Sequence, residues 1–128
     1  MGEINLRAIN RTRGTVLCAR TEDAVGIAGK SRGLIGRDGL EADSGMLFEA
    51  GRWEPFMWMH MMFMRFPIDI VFLDHHGTVM RINRSLKPWR LSSLVWGADK
   101  ALELAAGATA RSQTVEGDEI VLERSLDF

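Results

Sequence analysis

Short runs of β-compatible residues separated by turn residues dominate this chain. Glu3 to Ile9 alternates loosely, Thr15 to Ala19 is rich in strand formers, and Met46-Leu47-Phe48 reads as a short buried strand. Ile68 to Leu73 is the clearest strand. Ile68, Ile70 and Phe72 point one way, Asp69, Val71 and Leu73 the other, so both faces are largely apolar and the strand should be covered on both sides. Pro67 suits its first position, where a missing N–H does least harm. Asp74-His75-His76-Gly77 is a turn, and Thr78 to Ile82 returns as the second strand of a hairpin. Asn83 to Ala98, with Pro88, Trp89 and Trp96, reads as one long connection of the kind that forms binding loops or lids. Ala101 to Ala105, one helical turn from Ala108 to Gln113, and Glu119 to Glu123 complete the series.

One further helix is expected from about Asp23 to Leu34. Thr21-Glu22-Asp23 offers start chemistry, because a hydroxyl and two acids suit exposed N–H groups. Gly26, Gly29 and Gly33 each weaken it. The pattern as a whole predicts a mainly β fold, α+β at the margin: a compact antiparallel sandwich or barrel with one or two short helices.

A length of 128 residues suits a single domain spanning 1–128 that can bury a core without staples. The lone Cys18 excludes an internal disulfide framework and any multi-cysteine zinc site. No apolar run is long enough for a membrane helix. Met1 leads into Gly2, Glu3 and Asn5 rather than a secretion signal, so the expected compartment is the cytoplasm, or the periplasm or exterior if a signal was trimmed. With 16 basic and 17 acidic residues there is no global field for nucleic acid. Arg7, Arg11, Arg13 and Arg20 do crowd the N-terminal part, where they read as a solvated strand edge. No cofactor is expected. A small molecule or a protein remains the candidate partner.

Three constellations could carry chemistry. Five of the eight methionines fall within Met57 to Met64. Thioethers select soft cations, so Met57, Met59, His60 and Met61 form a candidate copper set; otherwise they fill an irregular core or line an apolar pocket. Asp69, on a strand buried on both sides, needs a partner, and Arg37, His60 and Arg65 are the candidates. It either pins a loop or floors a ligand pocket. Glu103, between Leu102 and Leu104, is expected to point outward. Asp69 or Glu103 could hydrolyse a carbohydrate or cell-envelope bond with His60 as base, and the two carboxylates could share acid–base work if they lay about 5–10 Å apart in one cleft. Trp53, Trp89 and Trp96 offer an alternative, an exposed aromatic patch for a partner.

Gly33-Leu34-Ile35-Gly36-Arg37, Asp43-Ser44-Gly45-Met46-Leu47-Phe48 and Phe63-Met64-Arg65-Phe66-Pro67-Ile68-Asp69-Ile70-Val71-Phe72-Leu73-Asp74 follow one another in order. Leu86-Lys87-Pro88-Trp89, Ala101-Leu102-Glu103-Leu104-Ala105-Ala106-Gly107 and Gly117-Asp118 come after them. Over about residues 15–123 this series resembles the bacterial and archaeal domain-of-unknown-function family numbered 192. The resemblance implies a compact, mainly β fold with a short helix near Gly33-Leu34-Ile35, and no established activity. It places Arg37, Arg65, Asp69 and Glu103 at polar positions of the family motif. Ile35 stands where the family usually has methionine, and some members have a shorter Trp-Met-Lys-Asn-Thr stretch in place of Met57 to Met64. The expectation from all of this is a small-ligand-binding or accessory module. Its pocket would be lined by methionine and aromatic side chains, with Arg37, His60, Arg65, Asp69 and Glu103 as the polar contacts.

Overall fold

A computed structural model describes residues 3–23, 34, 36–51 and 54–127. Strands β1 (Glu3–Asn10), β2 (Thr15–Asp23), β3 (Ser44–Glu49), β5 (Ile68–Leu73), β6 (Val79–Leu86), β8 (Lys100–Ala105) and β9 (Ile120–Asp127) form one sheet in the order β6-β5-β8-β3-β2-β1-β9. Two short strands, β4 (Phe56–Met57) and β7 (Val95–Trp96), pair separately, and one helix, α1 (Ala108–Arg111), is seen among the described residues. The molecule is therefore mainly β, as its pattern predicts. One pairing departs from expectation: β2 and β3 run parallel. Parallel neighbours need a long crossover, and residues 24–43 supply it. Thr21, Glu22 and Asp23 belong to β2, where pairing with Gly45, Met46 and Leu47 overrides their helix-start chemistry. The rest of the helix expected to Leu34 lies outside the described residues, apart from Leu34 itself.

The sheet curls until its edges meet at one end. Ile120 N–H donates to Gly77 C=O (2.8 Å), Val79 N–H to Asp118 C=O (2.8 Å) and Gly117 N–H to Val79 C=O (2.9 Å). Gly77 is required at this seam. Its φ is +85°, and a Cβ there would lie 2.5 Å from the carbonyl oxygen of Ile120. Inside the curl, Leu17, Val71, Leu73, Leu102, Leu104 and Ile120 pack with Ala108 of α1. The outer face of the central strands carries Met46, Phe48, Ile68, Ile70, Phe72 and Ala101, covered by a second layer built on Met57, Met61, Met64 and Val95. Every residue of β5 is consequently buried.

Gly45 shows how tightly the sheet interior is filled. A Cβ at this position would meet Leu104 Cδ2 at 2.9 Å, Cys18 Sγ at 3.0 Å and the Glu103 carbonyl at 3.0 Å. Gly45→Ala is expected to destabilise by about 2 kcal/mol through overpacking, read as a lower midpoint in urea with unchanged slope. An unchanged midpoint would mean the β3–β8 contact is looser than described.

Candidate functional site

Asp69 is 1% exposed, and its partners are none of those expected from sequence. Oδ1 accepts from Ser85 N–H (2.8 Å), while Oδ2 accepts from Thr109 N–H (3.0 Å) and Thr109 Oγ1–H (2.6 Å). Both connections have a local cause. The β5–β6 register slips between Ile68 and Ile70, and Ser85 adopts a left-handed φ of 47° in the resulting bulge, so its N–H needs an acceptor outside the ladder. Helix α1 begins after Gly107, which has no side chain to cap it, so Asp69 reaches across from β5 to take the early N–H. Arg84 completes the cluster, donating from Nη1 to Thr109 Oγ1 (2.7 Å) and from Nη2 to Thr114 C=O (2.9 Å). Asp69 is thus a clamp between a bulge and a helix. Arg37 and Arg65 instead form surface pairs with Glu22 (3.2 Å) and Asp38 (2.7 Å), and His60 is exposed.

Glu103 does not point outward. Its register partners, Met46 and Ile70, both belong to the layer beneath β4 and β7, and Glu103 is only 5% exposed among them. The expectation failed because it assumed one covered face for β8, whereas the second layer covers the other. Burial pushes its carboxyl up to about 7. Asp69 lies on the opposite face of the sheet, with Val71 and Leu73. The two carboxylates therefore share no cleft, and the geometry for joint acid–base work on one bond is absent.

The methionine run divides by depth. Met57, Met61 and Met64 are buried in the second layer and Met59 is half-buried, while Met62 and His60 face solvent. His60 Nδ1 accepts from Met62 N–H at 3.3 Å. The copper set is thus split between core and surface, and no group of three His, Cys, Asp or Glu side chains suited to a metal occurs among the described residues.

A polar cluster not singled out from sequence sits at the seam. Asn10 Nδ2 donates to Asp118 Oδ2 (2.9 Å) and to Thr114 Oγ1 (3.1 Å), and Arg13 Nε and Val115 N–H also reach Asp118 Oδ2. Burial alone would raise the Asp118 carboxyl, but these donors outweigh it and hold it below its ordinary value. The basic N-terminal part is neutralised in the same region: Arg7 pairs with Glu123, Arg11 with Glu119 and Arg13 with Asp118. A groove of about 400 Å³ opens beside the parallel strands, where Arg20, Glu22, Arg37 and Glu41 balance one another in charge.

The outer side of the second layer has a different character. Phe56 pairs with Trp96 and Met57 with Val95, so Met57 and Val95 turn inward and Phe56 and Trp96 outward. The extended course continues through an isolated bridge between His60 and Leu91. Trp58, Phe63, Trp89, Leu91, Leu94 and Trp96 are between 48% and 64% exposed. Rings meet across this face, Phe56 with Trp96 and Phe63 with Trp89, each pair at 4.9 Å between centroids. Phe63 (φ 63°) and Trp89 (φ 67°) both hold left-handed backbone. Phe63 occupies the third position of the turn closed by Met64 N–H on Met61 C=O (3.2 Å), where glycine is favoured. Bulky residues in that conformation carry strain, here at two solvent-facing side chains. Trp89 and Trp96 of the expected aromatic patch lie here; Trp53 lies outside the described residues.

The fold is shared with solved structures. A candidate transcription regulator from Sinorhizobium meliloti superposes with a TM-score of 0.77 at 26% identity, over 94% of this chain and 95% of that one. A protein of unknown function from Novosphingobium aromaticivorans gives 0.78 at 25% identity, over 92% and 84% respectively. No curated protein matches the sequence. The sequence profile of domain-of-unknown-function family 192, described as an uncharacterised ACR, matches residues 8–122, and the chain belongs to that family.

Proposed function

We propose that the protein is a binding module whose working surface is the outer face of the β4–β7 layer. Its partner is an amphiphile bearing negative charge. The observation that carries this reading is the set of exposed apolar side chains on one face, two of them held in left-handed backbone. Contiguous exposed apolar surface marks interaction sites. The reading moves the expected pocket: the methionines fill the layer from inside, and the aromatics open outward instead of lining a cavity. Charge supports an anionic partner, since Lys87 and Arg90 are exposed and residues 84–98 contain no acid. The basic side chains of Arg7, Arg11 and Arg13 are already paired with acids, which leaves those three without free charge for a nucleic acid.

The test is a tryptophan-fluorescence titration with dihexanoyl phosphatidylglycerol kept below its micelle-forming concentration. A saturable blue shift is expected, and Phe63→Gly with Leu91→Ser should weaken it at least tenfold while all four tryptophans remain. Phe63→Gly is chosen because relief of backbone strain, about 1 kcal/mol, offsets the lost ring contact, so stability should hold. No shift in the native protein, or an equal one in the variant, contradicts the reading.

A further inference from the structure

We infer that the amphiphile is a bilayer: the outer face of the β4–β7 layer seats on an anionic lipid surface as a peripheral contact. This rests on the binding reading above and adds the nature of the partner. Two features favour a bilayer over a folded acidic protein or a single-stranded nucleic acid.

The first is the mixture of side chains. Tryptophans 58, 89 and 96 suit the headgroup level, where amphipathic rings concentrate. Leu91, Leu94 and Met62, all at least 46% exposed, add aliphatic tips that gain from acyl chains and have no flat face on which a base could stack.

The second is the placement of charge. Lys87 and Arg90 flank Trp89 in the chain, both are exposed, and neither has an ion-pair partner among the described residues. Trp89 N–H donates to Met61 C=O (2.7 Å) and Met61 N–H to Arg90 C=O (2.8 Å). These bonds fix the Lys87–Leu91 backbone against the methionine segment, so the residues carrying the two cations neighbour Trp89 in a chain segment anchored beside the Met61–Met64 turn. An apolar tip flanked by unpaired cations matches a surface whose interior is apolar and whose headgroups are anionic. Among the described residues no helix is long and apolar enough to span a membrane, and the contact needs none.

The experiment is co-sedimentation of the full chain with vesicles of phosphatidylcholine alone, and of phosphatidylcholine with 30% phosphatidylglycerol. A dT20 oligonucleotide is titrated in parallel. Binding is expected to the anionic vesicles, to fall steeply with salt, and to weaken about 30-fold in Lys87→Gln with Arg90→Gln, at roughly fivefold per cation. Phe63→Gly with Leu91→Ser should abolish it. Equal binding to both vesicle types overturns the charge argument. Binding of short-chain phosphatidylglycerol without vesicle binding overturns the bilayer and leaves the binding reading standing. Absence of both overturns both. Tighter binding of dT20 than of anionic vesicles would assign the face to nucleic acid and overturn the inference.

Discussion

Asp69→Ala is expected to lower stability by about 4 kcal/mol, because it strips the acceptor from three donors at once, two of them on the fully buried Thr109. The Ser85 N–H, the Thr109 N–H and the Thr109 hydroxyl would all be left without their partner. In a chain of this length that amounts to a fall in melting temperature of roughly 15 °C. Asp69→Asn should cost less, about 2 kcal/mol, since one amide oxygen keeps part of the set while its NH2 opposes a donor. Thermal unfolding of both variants checks the order. If either variant were as stable as the native protein, Asp69 would not be the clamp described above, and a strained functional carboxylate would become the better reading.

Glu103 makes the opposite kind of contribution. Its carboxyl sits at about 7 in the folded protein against an ordinary 4.5, so between those values the folded chain holds a proton that the unfolded chain releases. Stability contributed by this group is therefore full at low pH and falls as pH rises from about 4.5 to about 7, by roughly 3 kcal/mol in all. Asp118 works at the acid end. Its folded value is depressed, so its contribution is present above the ordinary value of 3.8 and lost as pH falls through the folded one. Stability should peak near pH 5. Urea midpoints taken from pH 3 to pH 9 would show the peak, and Glu103→Gln should flatten the decline between pH 5 and 8 and make the variant the more stable protein at pH 8. A native profile flat from pH 5 to 8, or a variant that keeps the decline, would place the Glu103 carboxyl in water.

How far the sequence could be read depended on the range of the interaction. The Ile68–Leu73 strand, its double burial and the Asp74–Gly77 turn were legible because alternation and turn chemistry are local. Asp74 Oδ1 indeed accepts from His76 N–H (2.8 Å) and Thr78 N–H (3.0 Å) within that turn. The second strand of the hairpin continues to Leu86, four residues past the expected end, because a bulge at Ser85 carries it through polar residues that read as loop. The clamp around Asp69 was half legible. A buried carboxylate announced that it needed partners, but those partners lie 16 and 40 residues away and one is a backbone N–H that any residue type could supply. The Asn10–Asp118 pair spans 108 positions and left no local signal. Glu103 was misplaced because period-two reasoning tells which residues share a face, not whether a second layer covers it. Phe63 and Trp89 were visible as aromatics, but their left-handed backbone was not, since no glycine marked it.

In our proposal the protein works through the outer face of its small second layer, while Asp69 clamps the fold from within. The most direct measurement is a set of backbone amide NMR spectra recorded as short-chain phosphatidylglycerol is added. Shifts should concentrate in residues 58–63 and 87–96 and leave Ser85 and Thr109 unmoved. Shifts centred instead on Arg20 to Glu22 and Arg37 to Gly45, around the groove, would contradict the claim and transfer the functional site to the edge between the parallel strands.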